Sequence, residues 1–92
     1  MVEVRVPAPL RAHTQGSKVV QGEGGSVAEV LDDLERRYPG LKSGLFDERG
    51  ELRQFVNVYV NDEDIRYLDK LDTALAPGDT VSILPAVAGG AG

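Results

Sequence analysis

The sequence contains no cysteine, no tryptophan and a single histidine, and aromatic residues make up only 5% of it. Without cysteine there is no disulfide, no thiolate zinc site and no thiol nucleophile. The lone histidine, His13, lies in a loop between prolines and a glycine and reads as an exposed residue without a chemical role. A metal site needs several converging ligands, and here only scattered carboxylates would remain. The same shortage removes any Ser-His-Asp or Cys-His arrangement. Basic charge is also scarce, with 10 Lys and Arg against 15 Asp and Glu and a net charge of -5. Nucleic-acid binding needs clustered cations to displace counterions, and the densest basic stretch is only Arg36-Arg37. An acidic surface points instead to solubility or to a basic protein partner. No apolar run approaches the ~18 residues that would span a bilayer, and no signal-peptide core opens the sequence. The expectation is a cytoplasmic protein that binds neither nucleic acid nor membrane.

What is present suits one small domain. The 92 residues are 41% apolar and 27% charged, the balance of an ordinary globular chain. A chain of this size buries roughly 60–65% of the surface its unfolded form exposes, enough for a sheet and one good helix.

Val2, Val4 and Val6 alternate with Glu3 and Arg5, the period of a strand with one wet face. Pro7 and Pro9 end it, and residues 17–21, with Val19 and Val20, are expected to return as the second strand of a hairpin after a long loop. Gly22-Glu23-Gly24-Gly25 is a turn. Ser26 followed by Glu29 has capping-box spacing. Val27, Val30, Leu31, Leu34 and Tyr38 then form one apolar helical face. Acids in the first half and Arg36-Arg37 in the last turn suit the helix dipole, and Pro39-Gly40 stops the helix. Residues 52–61 form the strongest strand. On it Val56, Val58 and Val60 share one face, and Phe55, Asn57 and Tyr59 the other. Ile65–Leu68 suits a short strand, Leu71 to Leu75 a short helical turn, and Ala76-Pro77-Gly78-Asp79 a tight turn. Val81, Ile83 and Leu84 make the last strand. The order β-β-α-β-(short β)-β describes an α+β fold. It is a β-grasp roll with a mixed sheet and one main helix on one face, over residues 1–85, with residues 86–92 as a loose tail.

Three local features carry weak signals. Gly22-x-Gly24-Gly25 ahead of a helix has the look of a phosphate cradle, but it lacks the lysine of a P-loop and the βαβ unit of a dinucleotide site. Asp62-Glu63-Asp64 places three carboxylates in a turn, without the spacing of a calcium loop, and reads as solvated charge. If the valine face packs on the helix, Phe55, Tyr59 and Leu84 lie on the opposite face of the sheet. They then form either an apolar contact patch or a surface covered by the loop of residues 8–16.

The end of the chain runs Gly78-Asp79-Thr80-Val81-Ser82-Ile83-Leu84-Pro85-Ala86-Val87-Ala88-Gly89-Gly90-Ala91-Gly92. Together with the block Phe55-Val56-Asn57-Val58-Tyr59-Val60-Asn61-Asp62-Glu63-Asp64-Ile65-Arg66, it resembles the ThiS/MoaD family of ubiquitin-like sulfur carriers. Within that family it is most similar to the actinobacterial branch serving cysteine biosynthesis, and the resemblance covers essentially the whole chain. It implies a carrier that is not itself an enzyme, holds no cofactor and is a monomer when free. An E1-like enzyme would adenylate the diglycine carboxylate of Gly89-Gly90. A sulfur donor would convert the adenylate to a thiocarboxylate, and a sulfur-accepting synthase, PLP-dependent in the cysteine branch, would consume it. Phe55, Tyr59, Leu84, Pro85 and Val87 become the expected partner interface. Ala91 and Gly92 follow the diglycine where the family usually ends, so trimming by a metalloprotease is expected before activation. The same chemistry admits two alternatives: a ubiquitin-like modifier joined to lysines, or a small subunit of a molybdopterin-synthase type of complex.

Overall fold

The computed structural model describes residues 1–54 and 56–85. Five strands make one mixed sheet: β1 (Val2–Arg5), β2 (Val19–Gly22), β3 (Val56–Val60), β4 (Glu63–Asp64) and β5 (Thr80–Pro85), in the spatial order β2-β1-β5-β3-β4. β1 and β2 pair antiparallel from Val2↔Gly22 to Arg5↔Val19. β1 and β5 run parallel at the centre, an arrangement that needs a long crossover between them. The helix α1 (Val27–Arg37) lies on that crossover and supplies Val27, Val30, Leu31 and Leu34 to the core. Against them stand Val2, Val4, Val20, Val58, Val60, Val81 and Ile83 from one face of the sheet. Alternation therefore sorts inside from outside on β1, β3 and β5 as the sequence pattern predicts, and the β-grasp roll is the observed fold.

Ser26 caps α1, its hydroxyl oxygen accepting the Glu29 amide at 3.2 Å. The reciprocal arm is displaced by one residue, for Glu29 Oε1 accepts from the Gly25 amide at 2.7 Å. The backbone around Ser26 is already engaged, bridging to Ala74 through Val27 N to Thr73 O and Leu75 N to Gly25 O. Asp33 does more than suit the helix dipole. Its carboxylate is buried and accepts from the Glu23 amide at 3.0 Å while Arg37 Nε lies 2.9 Å away, which ties the β2–α1 turn to the middle of the helix. Gly24 is required there for a related reason. A Cβ on it would stand 2.7 Å from the backbone nitrogen of Val30, so the glycines of this turn allow close packing on the helix.

Four local expectations need correction. Residues 8–14 are a 3-10 helix (Ala8–Thr14), held by the buried Thr14, whose hydroxyl lies 2.9 Å from the Ser17 carbonyl. A second helix, α2 (Leu41–Leu45), follows α1, with the amides of Gly40 and Lys42 donating to Glu35 at 3.1 and 2.9 Å. β3 begins at Val56, because Leu52 is drawn into a bridge with Phe46 and the Val56 amide turns back to Arg53 O. Ile65–Tyr67 is a 3-10 turn capped by Asp64, and the short strand is Glu63–Asp64. The short helical turn expected from Leu71 to Leu75 is observed earlier, as Lys70–Asp72 with Thr73 at its end.

Candidate functional site at the root of the C-terminal segment

β5 lies at the centre of the sheet, parallel to β1 on one side and antiparallel to β3 on the other. The pairing with β3 continues to Val56↔Pro85, so the chain is held by backbone ladders up to the residue before the Gly-rich segment. Alternation on β5 sends Val81 and Ile83 into the core, at 0% and 1% exposure, and leaves Leu84 on the outer face at 46%. Beside the end of the strand lies a small apolar cleft of about 100 Å³ bordered by Pro7, Pro9, Leu10, Gly44 and Leu84.

The outer face of the sheet can be read across the strands. Arg5, Ser82, Tyr59 and Asp64 stand in one register row, and Leu84 stands opposite Asn57 in the next. Tyr59 is half-buried and Leu84 is exposed. Pro9 and Leu10 of the 3-10 helix border the cleft beside Leu84, but Leu84 keeps 46% of its surface exposed and Leu10 itself packs on the core and beside Gly44 of α2. Of the expected interface residues, Tyr59 and Leu84 thus share one open face, and Pro85 closes the β5 ladder. Phe55, Val87, Gly89, Gly90, Ala91 and Gly92 lie outside the described residues.

Reading the sequence missed one cluster on this face. Asp62 and Glu63 are exposed turn charges as expected, but the Asp64 side chain is only 10% exposed and is gripped by Arg66 at 2.9 Å. The same guanidinium donates to Asn57 Oδ1 at 2.7 Å, which sets it on the row that carries Leu84. The Arg66 hydrogen bond holds the Asp64 carboxyl below its ordinary range despite burial, and Asp64 in turn raises Arg66. The available signal was Asp64 standing as a cap ahead of the buried Ile65. Among the described residues no group of His, Asp and Glu converges to hold a metal ion, and no helix is long and apolar enough to cross a membrane.

A mixed β-grasp sheet with its last strand at the centre and a helix packed on one face defines a ubiquitin-like protein. The chain belongs to the ThiS family, which it matches over residues 4–90. It is 50% identical to the sulfur carrier protein CysO of Mycobacterium tuberculosis over 91 residues, covering 97% of this chain and 98% of the relative. The solved structure of M. tuberculosis CysO superposes with a TM-score of 0.90 at 48% identity, over 95% of this chain and 100% of that one. A chain in the Amycolatopsis orientalis BexX/CysO complex matches with a TM-score of 0.88 at 47% identity, over 95% and 97% of the two chains. The small archaeal modifier protein 3 of Haloferax volcanii is 45% identical over 65 residues, 71% of this chain and 70% of the relative.

Proposed function

We propose that this chain is a sulfur carrier that works through the carboxylate of Gly90 and feeds the biosynthesis of cysteine or another sulfur-containing metabolite. The observation that carries the reading is a family match that runs to Gly90, the second residue of the diglycine, on the segment that follows the central strand β5 in sequence. In the first step a Gly90 carboxylate oxygen attacks the α-phosphorus of ATP and pyrophosphate departs, leaving an acyl-adenylate. The terminal sulfur of a persulfide then attacks the acyl carbon and AMP leaves. A second thiol splits the resulting acyl persulfide, giving the thiocarboxylate and a disulfide. This chemistry is supplied by partner enzymes; the chain contributes reach, access and docking. From Pro85 to Gly90 an extended backbone spans about 20 Å, and glycine, lacking Cβ, passes a narrow channel that larger residues would block. The absence of cysteine fits this role, since no thiol of the chain itself competes for the activated acyl group.

Tyr59, Leu84 and Pro85, joined by Phe55 and Val87, form the docking surface for the adenylating enzyme, and Arg66 borders it. That the A. orientalis relative was solved as a BexX/CysO complex supports a carrier that acts while gripped by another protein. Ala91 and Gly92 fall beyond the family match, which supports their removal by a peptidase before activation. The likeness to the archaeal modifier protein favours one second reading, in which the same activated glycine is joined to lysines of other proteins. Intact mass spectrometry of the protein from its native cells separates the two. A carrier gives a free species ending at Gly90 with one oxygen replaced by sulfur, whereas a modifier gives ladders of higher-mass conjugates, and their predominance would overturn the carrier reading.

A further inference from the structure

Charge is spread unevenly around the end of β5, and the β1–β2 flank of that end is basic. From Val4 to Gly22 there are three cations, Arg5, Arg11 and Lys18, and no acidic residue, in a chain of net charge -5. The topology sets the cations of this run toward the end of β1, while its last residues, Gln21 and Gly22, pair with the start of that strand. Arg5 pairs with Ser82, and the Val6 amide donates to the Lys18 carbonyl at 2.8 Å. Arg11 Nε donates to the Val6 carbonyl at 3.1 Å, which holds its guanidinium over the end of β1. Arg5 leans back toward Glu3 at 3.3 Å with its side chain 64% exposed, a pairing that solvent and salt largely screen. On the far side of the exit, Asp47 and Glu51 are bridged by Arg49. The opposite end of the molecule gathers the starts of β1 and β5, the β3–β4 turn and the first turn of α1. Glu23, Glu29, Glu63 and Asp72 are exposed there together with Lys70, whereas Asp62 lines a shallow cleft with Arg5.

We infer that the protein which receives the C-terminal segment presents an acidic surface to the β1–β2 flank of the exit, although the chain as a whole is acidic. The inference rests on the reading that this segment enters a partner's active site. A net negative body carrying a positive leading end is turned in the partner's field so that the tail arrives first. Complementary charge of this kind acts mainly on the association rate and fades as salt screens it.

The test compares association rates with the adenylating enzyme of the same organism, by stopped flow at low and high salt, with pyrophosphate release followed in parallel. Arg5→Glu with Lys18→Glu is expected to slow association about tenfold at low salt, the difference shrinking below about twofold at high salt. Reversing the far end, Glu63→Lys with Asp72→Lys, is expected to change it less than about twofold. Arg5→Gln with Lys18→Gln keeps the comparison valid if the double reversal fails to fold, and should give an intermediate slowing. Equal effects at the two ends, or a slowing that salt does not relieve, would overturn the inference. Association without pyrophosphate release sinks the carrier reading and leaves the rate comparison standing; no association at all overturns both.

Discussion

Ile83 and Leu84 are neighbours in β5, yet one is 1% and the other 46% exposed, and the difference separates stability from recognition. Ile83→Ala should cost about 2–5 kcal/mol, as a buried truncation does. Leu84→Glu should move stability by no more than about 0.5 kcal/mol while lowering kcat/KM for adenylation by about tenfold or more, the behaviour of an interface anchor. Urea melts and pyrophosphate exchange on the two variants check this, and a large stability loss in Leu84→Glu would invert the faces assigned to the sheet. Gly24 makes a second residue-scale case. Because the Cβ of an alanine there would meet backbone at 2.7 Å, Gly24→Ala is expected to destabilise by about 1–3 kcal/mol, and an unchanged urea midpoint would contradict that packing. Strand faces were legible in the sequence because period two on Val56-Asn57-Val58-Tyr59-Val60 leaves one assignment once the helix is placed. The Asp64–Arg66–Asn57 cluster was not, since it depends on a 3-10 turn folding Ile65 inward, and no periodicity marks that.

At the scale of elements, α1 was readable end to end. Its cap, apolar stripe and stop signal occur within one window, and the structure moves only the reciprocal arm of the cap. The short helix α2 escaped because five residues give a single apolar pair, Leu41 and Leu45, too few to establish a period. Its N-terminus is satisfied by Glu35, a residue of the preceding helix. The link between α1 and the β2 turn is electrostatic and so depends on pH. The Asp33 carboxyl is held below its ordinary range chiefly by the Glu23 amide, with Arg36 and Arg37 adding to it against the opposing effect of burial. A carboxyl whose folded value is depressed stabilises fully above the unfolded value of about 4 and loses that contribution as pH falls through the folded one. Asp33→Asn should therefore be less stable than the parent at neutral pH. The gap should close on acidification below about pH 4. Urea titrations of both proteins across that range test the link, and a gap independent of pH would assign the loss to packing alone.

Taken whole, the described residues form a β-grasp roll with β5 at the centre of its sheet and one face of that sheet open. The β-grasp order was legible because β1, β3 and β5 carry their own alternation, while the two-residue β4 is too short to show one, and the expectation of a site in the tail rests on its motif alone. The basic flank was not legible, because it arises only when the topology brings Arg5, Arg11 and Lys18 together at the end of β1. The docking face and the segment's reach matter only if the chain end is where the chemistry happens, and that claim is directly measurable. Two versions, one ending at Gly90 and one carrying Ala91-Gly92, are incubated with ATP, the adenylating enzyme and a persulfide donor, and their intact masses are followed. The Gly90 version is expected to exchange pyrophosphate and to gain the mass difference between sulfur and oxygen. The longer version should lag by about 100-fold, the scale of loss when a reacting group is misplaced. Equal rates would move the activated residue to Gly92, and failure of both versions to gain sulfur would contradict the account at its centre.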